Sequence, residues 1–287
     1  MSVIERVRSR AGHKVIELIA GPDAAQRRQQ IFDTPGPRWF AQDAPICRVH
    51  GDVAMYVGGI RALLLQSLHP VAMTAVAEHS SYRTALWGRV ASTSRFISVT
   101  TFGTCDDAER AVARVCKVHS HIRGQMPDGT PYRADDPHLL QWVHAAEIDS
   151  FLTSYQRFGR GRLSRAEADE YVAQAGTVAL RLGAERVPAT VSELRETIAR
   201  FRPELAGSPE AREAVRLLLT APLSWTARVP YGTLCAVAIA SLPLWARRML
   251  GAPRLPVVDD IAIPLAGYGT GMAMVSALRW ILTDPRD

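Results

Sequence analysis

Arg89 and Thr93 stand four residues apart, so on a helix they stack on one face, which Phe96, Ile97 and Thr100 extend. A guanidinium on a largely apolar face needs a partner if it is buried, because an unpaired buried charge is very costly. An anionic or polar bound group would supply one; a half-exposed helix whose Arg89 reaches water is the competing reading. Further on, Ala108, Ala111, Val112, Val115, Val118 and Ile122 recur at the three-to-four spacing of a single buried stripe. His119 falls on that stripe, four beyond Val115 and three before Ile122. His121 lies two residues on, about 200° around the helix, and faces away. Neutral imidazole is a common metal ligand, which makes His119 the candidate. The alternative is a core histidine with its hydrogen bonds satisfied.

A second group surrounds a proline. Gln66-Ser67-Leu68-His69-Pro70 is followed by Glu78-His79-Ser80. Pro70 suits the first position of a fresh helix, where its missing N–H would be unpaired anyway. Glu78 and His79 then fall at the far end, where a histidine also favours the helix dipole. Glu78 is a candidate acid or base, and His69 and His79 are candidate contacts to a bound group. Helix capping and loop fixation is the reading that the spacing favours for each. His144 rivals His119: it shares a face with Leu140, Ile148 and Phe151, and Glu147 lies one turn away. A hydrogen-bonding role suits His144 better than metal ligation.

The elements that must position these groups are helices nearly throughout. A long apolar run opens at Gly51-Asp52, with Asp52 placed to cap its first turn. Further helices are expected over 70–78, 84–101 and 106–122, the last with Asp106 and Asp107 at its positive end and Gly124 as its stop. Pro127-Asp128-Gly129 reads as a turn, and Asp135-Asp136-Pro137 as the start of a helix through Phe158. Ser164-Arg165-Ala166-Glu167 is a capping box, and Val191 and Ser208 mark later starts. No window alternates with period two long enough for a sheet. The expectation is an all-α fold, one helical domain with a globin-like core.

Composition narrows the function. Of 287 residues, 47% are apolar, enough for a substantial core. The net charge of +6 is almost all arginine, Lys14 and Lys117 being the only lysines, and no basic run interleaves with aromatics. Nucleic-acid binding is therefore not expected. Cys47, Cys105, Cys116 and Cys235 form no C-x-x-C pair, so zinc ribbons and thiol redox motifs are excluded. The apolar part of the first twenty residues is too short for a signal h-region, which makes the cytoplasm the default compartment. Two uncharged stretches of 18 residues, 229–246 and 261–278, are broken by proline or glycine and read as a buried helix pair. Arg247 and Arg248 would also suit peripheral membrane contact. The patterns G-x-S-x-G, H-E-x-x-H and the P-loop are absent, as are the paired Glu-x-x-His elements of a di-iron bundle. Gly267-x-Gly269-x-Gly271 is wrongly spaced for a dinucleotide loop.

The runs around His69 and Glu78, Arg89-x-x-x-Thr93 and Val118-His119-Ser120-His121-Ile122-Arg123-Gly124 together resemble one family. So do Asp128-Gly129-Thr130-Pro131-Tyr132 and Trp142-Val143-His144. That family is the haem-dependent oxygenases related to latex clearing protein (rubber oxygenase) and the MpaB-type oxygenase. The resemblance covers roughly 51–159, with 160–287 as a helical half packed on it. It implies haem b with His119 as proximal ligand, Arg89 and Thr93 on the distal side, and His79, His69 and His144 near the cofactor. Glu78 would join Arg89 and Thr93 in catalysis. Dioxygen and an apolar, isoprenoid or lipid-like substrate would be the reactants. Ser92 stands where rubber-cleaving members carry a lysine, a departure at the level of substrate. A haem carrier or sensor without turnover would use the same residues. A helical protein without haem, acting through partner or membrane contacts, is the third reading.

Overall fold

Asp136 shows how strongly local sequence sets this fold. Its carboxylate accepts from the backbone N–H groups of His138 and Leu139, Pro137 occupies the first helical position, and a helix runs on to Phe158. In the computed structural model, which describes residues 23–80, 86–220, 223, 225–251 and 268–282, this is the longest element. The described helices, in chain order, are α1 (Ala24–Asp33), α2 (Pro45–His50), α3 (Met55–Gln66), α4 (Pro70–His79), α5 (Leu86–Phe102) and α6 (Cys105–His121). They continue with α7 (Pro137–Phe158), α8 (Arg165–Leu182), α9 (Val191–Phe201), α10 (Pro209–Leu219), α11 (Trp225–Ser241), α12 (Leu244–Met249) and α13 (Tyr268–Leu282). A short 3-10 turn, Arg202–Glu204, follows α9. The protein is all-α, as its sequence predicts.

The start signals at Asp136, Ser164 and Ser208 work as read, and Thr104 and Thr190 add caps that the sequence reading did not single out. Ser164 and Glu167 form the reciprocal capping box of α8. Thr104, Thr190 and Ser208 cap α6, α9 and α10 through their hydroxyls. One expectation is corrected. Asp52 does cap a backbone N–H, that of Ala54 at 2.8 Å, but α3 begins only at Met55. The carboxylate is drawn instead into an ion pair with Arg279 of α13 at 3.0 Å.

A second correction concerns Gly124. It does not end a helix but sits in a two-stranded antiparallel ribbon, β1 (Arg123–Gln125) with β2 (Pro131–Arg133), opposite Tyr132. Strands of three residues are too short to show period two in sequence. The turn between them is the expected one, with Gly129 at φ +85°. Gly124 is needed here because any Cβ would lie 2.5 Å from the Tyr132 hydroxyl.

The core is organised by α7, which is buried on most sides. It lies against α3, where Gly58 lets the backbones approach: a Cβ there would meet Phe151 Cδ1 at 2.9 Å. Arg61 of α3 reaches across to Asp149 at 2.7 Å and to Ser150 Oγ at 2.8 Å. The uncharged 229–246 stretch breaks between α11 and α12, and Leu234, Cys235, Val237 and Ala238 are buried. Of the 261–278 stretch, 261–267 lie outside the described residues. No single described helix is long and apolar enough to cross a membrane, and α3 and α4 meet at 102°.

Candidate functional site

Helices α3 to α7 turn side chains toward one internal cavity of about 780 Å³. That is toward the upper end of the roughly 300–1,000 Å³ typical of small-molecule and cofactor sites. Tyr56, Ile60, Leu63, Met73, Val76, Trp87, Ile97, Val143 and Phe151 make its walls mainly apolar. His79 enters from α4, Arg89 and Thr93 from α5, His119 from the last turn of α6, and Glu147 from α7. Of the residues with predicted chemistry, His79, Arg89, Thr93 and His119 thus converge from separate elements.

His119 is partly buried, and its Nδ1 is shielded from solvent with no hydrogen-bond partner among the described residues. Burial pushes its pKa below the ordinary 6.5, Arg89 pushes the same way, and Asp135 opposes them. The imidazole is therefore neutral at neutral pH, with a lone pair to offer. His121 points away, as its helical phase predicts, and its Nδ1 lies 2.6 Å from the Lys117 carbonyl. Val118 departs from the predicted stripe: it lines the cavity yet is 54% exposed.

Arg89 donates to Ser80 Oγ at 2.8 Å and meets no carboxylate among the described residues. Burial draws its pKa down. Thr93, one turn along, lines the cavity with its side chain open. Ile97 continues this cavity face, whereas Thr100 is buried and bonds back to the Phe96 carbonyl at 2.9 Å. Ser92 faces outward, its hydroxyl tied to the Gly88 carbonyl at 2.9 Å.

Glu78 and His79 meet through Tyr132, a partner that sequence did not single out. The Tyr132 hydroxyl donates to the Glu78 carboxylate and lies 3.1 Å from His79 Nε2. With its one proton given to Glu78, the phenol oxygen accepts from His79, which assigns the Nε2–H tautomer. Burial, reinforced by Glu78, raises the Tyr132 pKa to about 12. Only His79 of the three lines the cavity.

His69 and His144 are not brought to the cavity. His69 precedes α4, buried beside Trp142 and Phe201, with Nε2 3.7 Å from Glu204. Burial lowers its pKa. His144 is buried on another side of α7, its Nε2 without a partner among the described residues, and burial pushes its pKa to about 4. It does not line the cavity.

Two lining residues were not read from sequence as site residues, Glu147 being noted only as a neighbour of His144. Glu147 continues the cavity-facing row of Val143 and Phe151 at four-residue spacing. Burial alone pushes its carboxyl up to about 7. His50, from α2, lines the cavity with both nitrogens engaged, Nδ1 at 2.8 Å from Thr101 Oγ1 and Nε2 at 3.3 Å from the Tyr171 hydroxyl. Burial pushes its pKa to about 3. It is a satisfied core histidine, where His119 is not.

A mainly apolar, partly open cavity between helices, with a neutral histidine and a half-buried arginine in its wall, has the size and lining of sites that take small molecules. The family follows from the sequence. The pattern of the catalytic domain of the ER-bound oxygenase mpaB/B′ and rubber oxygenase matches residues 47–278, most of the chain, and the chain belongs to that family. The match reaches from α2 into α13, well past the 51–159 region in which the resemblance is most legible. Membership supports an oxygenase-type function, with a small-molecule substrate and oxygen. No curated protein and no solved structure matches the chain.

Proposed function

We propose that the protein is a haem b-dependent oxygenase acting on an apolar, isoprenoid or lipid-like substrate. The observation that carries this reading is His119: a neutral imidazole in the cavity wall whose shielded Nδ1 has no partner among the described residues. Among those residues, no group of three or more His, Cys, Asp or Glu side chains could hold a bare metal ion. Haem would bring its own ring nitrogens, so a single protein ligand such as His119 would suffice to hold it. His119 would hold it, and Arg89, with no carboxylate partner among the described residues, would neutralise a propionate or meet a polar ligand. Bound haem supplies the redox chemistry with dioxygen.

The chain's own residues do the rest. Arg89 and Thr93 put a cation and a hydroxyl on neighbouring turns of one cavity wall, able to orient a polar diatomic or a substrate oxygen. The apolar walls exclude water and admit an apolar molecule. His79, Tyr132 and Glu78 hold a proton between the cavity edge and the surface. Oxygen uptake by haem-loaded protein, screened against isoprenoid and fatty lipids, tests the proposal. Substrate-dependent uptake per bound haem should fall by about tenfold or more in Arg89→Leu. Haem-loaded protein that consumes no oxygen with any such lipid would instead be a carrier or sensor.

A further inference from the structure

The proposed oxygenase reading leaves one charged lining residue unused. Three lining residues are carboxylic acids or arginine: Asp52, Arg89 and Glu147. Asp52 is spoken for by Arg279 and by the backbone N–H groups of Ala54 and Arg160. Arg89 is engaged by Ser80. Glu147, half-buried with Val143 and Phe151 one turn to each side, has neither hydrogen bond nor ion pair to any described residue, and when ionised its charge acts on the buried Tyr171 hydroxyl.

Leaving a carboxyl in an apolar wall is costly unless something bonds to it. Burial also holds a substantial fraction of it protonated near neutral pH, as its upward shift to about 7 indicates. A protonated carboxyl both donates and accepts, so it complements a neutral oxygen-bearing group. A hydrocarbon would leave it unsatisfied, and a carboxylate would meet it as a like charge once it ionises.

We propose that Glu147 is a specificity-determining residue: it hydrogen-bonds a hydroxyl or carbonyl oxygen on an otherwise apolar substrate. This rests on the cavity being the substrate site, as proposed above. Glu147 acts here as a donor and anchor. Glutamine, which keeps a donor and an acceptor at that place, preserves the function, whereas a proton-abstracting base would be lost on that change.

The test measures calorimetric dissociation constants of 1-decanol, 1-chlorodecane and decanoate on haem-loaded wild type, Glu147→Gln and Glu147→Leu. The alcohol-to-chloride affinity ratio should fall about tenfold from wild type to Glu147→Leu and stay within about twofold in Glu147→Gln, as one hydrogen bond implies. Decanoate should bind Glu147→Gln about tenfold tighter than wild type above neutral pH. An unchanged ratio in Glu147→Leu, or decanoate affinity indifferent to Glu147→Gln, overturns the assignment; so does failure of all three probes to bind wild type. If Glu147→Leu does not fold, the decanoate comparison still decides. The Soret band of the same samples reports haem separately. Its absence defeats the haem reading while the calorimetry still judges Glu147.

Discussion

His119 and His50 line the same cavity and differ in what their nitrogens do. His50 bonds Thr101 and Tyr171, and His119 keeps a shielded nitrogen free of described partners. Helical phase sufficed to choose His119 over His121, because a two-residue offset turns a side chain to the opposite face. Phase could not exclude His69 or His144. Both sit on buried faces like His119, and only tertiary packing decides which buried face borders a cavity. Glu147 was hidden for a related reason: α7 is buried on most sides, so its apolar pattern does not single out the cavity row. Its titration leads to a sign that can be measured. A carboxyl whose pKa rises on folding, here from 4.5 to about 7, keeps a proton that the unfolded chain gives up. Its stabilising contribution is complete below the lower value and is lost as pH rises through the upper one. Glu147→Gln should therefore gain stability relative to wild type as pH rises through that window, in chemical denaturation at a series of pH values. A difference that does not vary with pH there would contradict the placement of Glu147 in the apolar cavity wall.

Among the elements, α3 and α7 fix the cavity's back wall, and their closeness depends on Gly58. A side chain there would collide with Phe151, a cavity-lining residue, at the Cδ1 atom and at Cα. Gly58→Val should cost about 1–3 kcal/mol through overpacking and lower the thermal midpoint by several degrees, read by circular dichroism. A midpoint equal to wild type would mean that the helices are not held at this separation. Helix starts at Asp136, Ser164 and Ser208 were legible because a cap is a local signal written in a few adjacent residues, whereas the caps Thr104 and Thr190 were not singled out. The β1–β2 ribbon was not, since its register depends on Tyr132 folding over Gly124 rather than on any periodicity. That ribbon brings Tyr132 to Glu78 and His79, so a contact at the site hangs on an element that sequence patterning could not reveal.

At the scale of the molecule, the all-α class was readable from periodicity alone, while a cavity is a property of several helices together and leaves no mark in any one of them. A folded chain with an internal apolar void should gain stability when the void is filled. Haem at about a hundredfold excess over its Kd should stabilise the wild type by about 2.7 kcal/mol, and thermal unfolding should show the gain shrinking in His119→Ala. Equal shifts in the two proteins would place any haem-binding away from His119. The most direct measurement is the visible spectrum of purified wild type and His119→Ala, each expressed with ample haem and then reconstituted. The account predicts a Soret band in the wild type that is lost or strongly shifted in the variant. An unchanged band in His119→Ala, or none in reconstituted wild type, would contradict it.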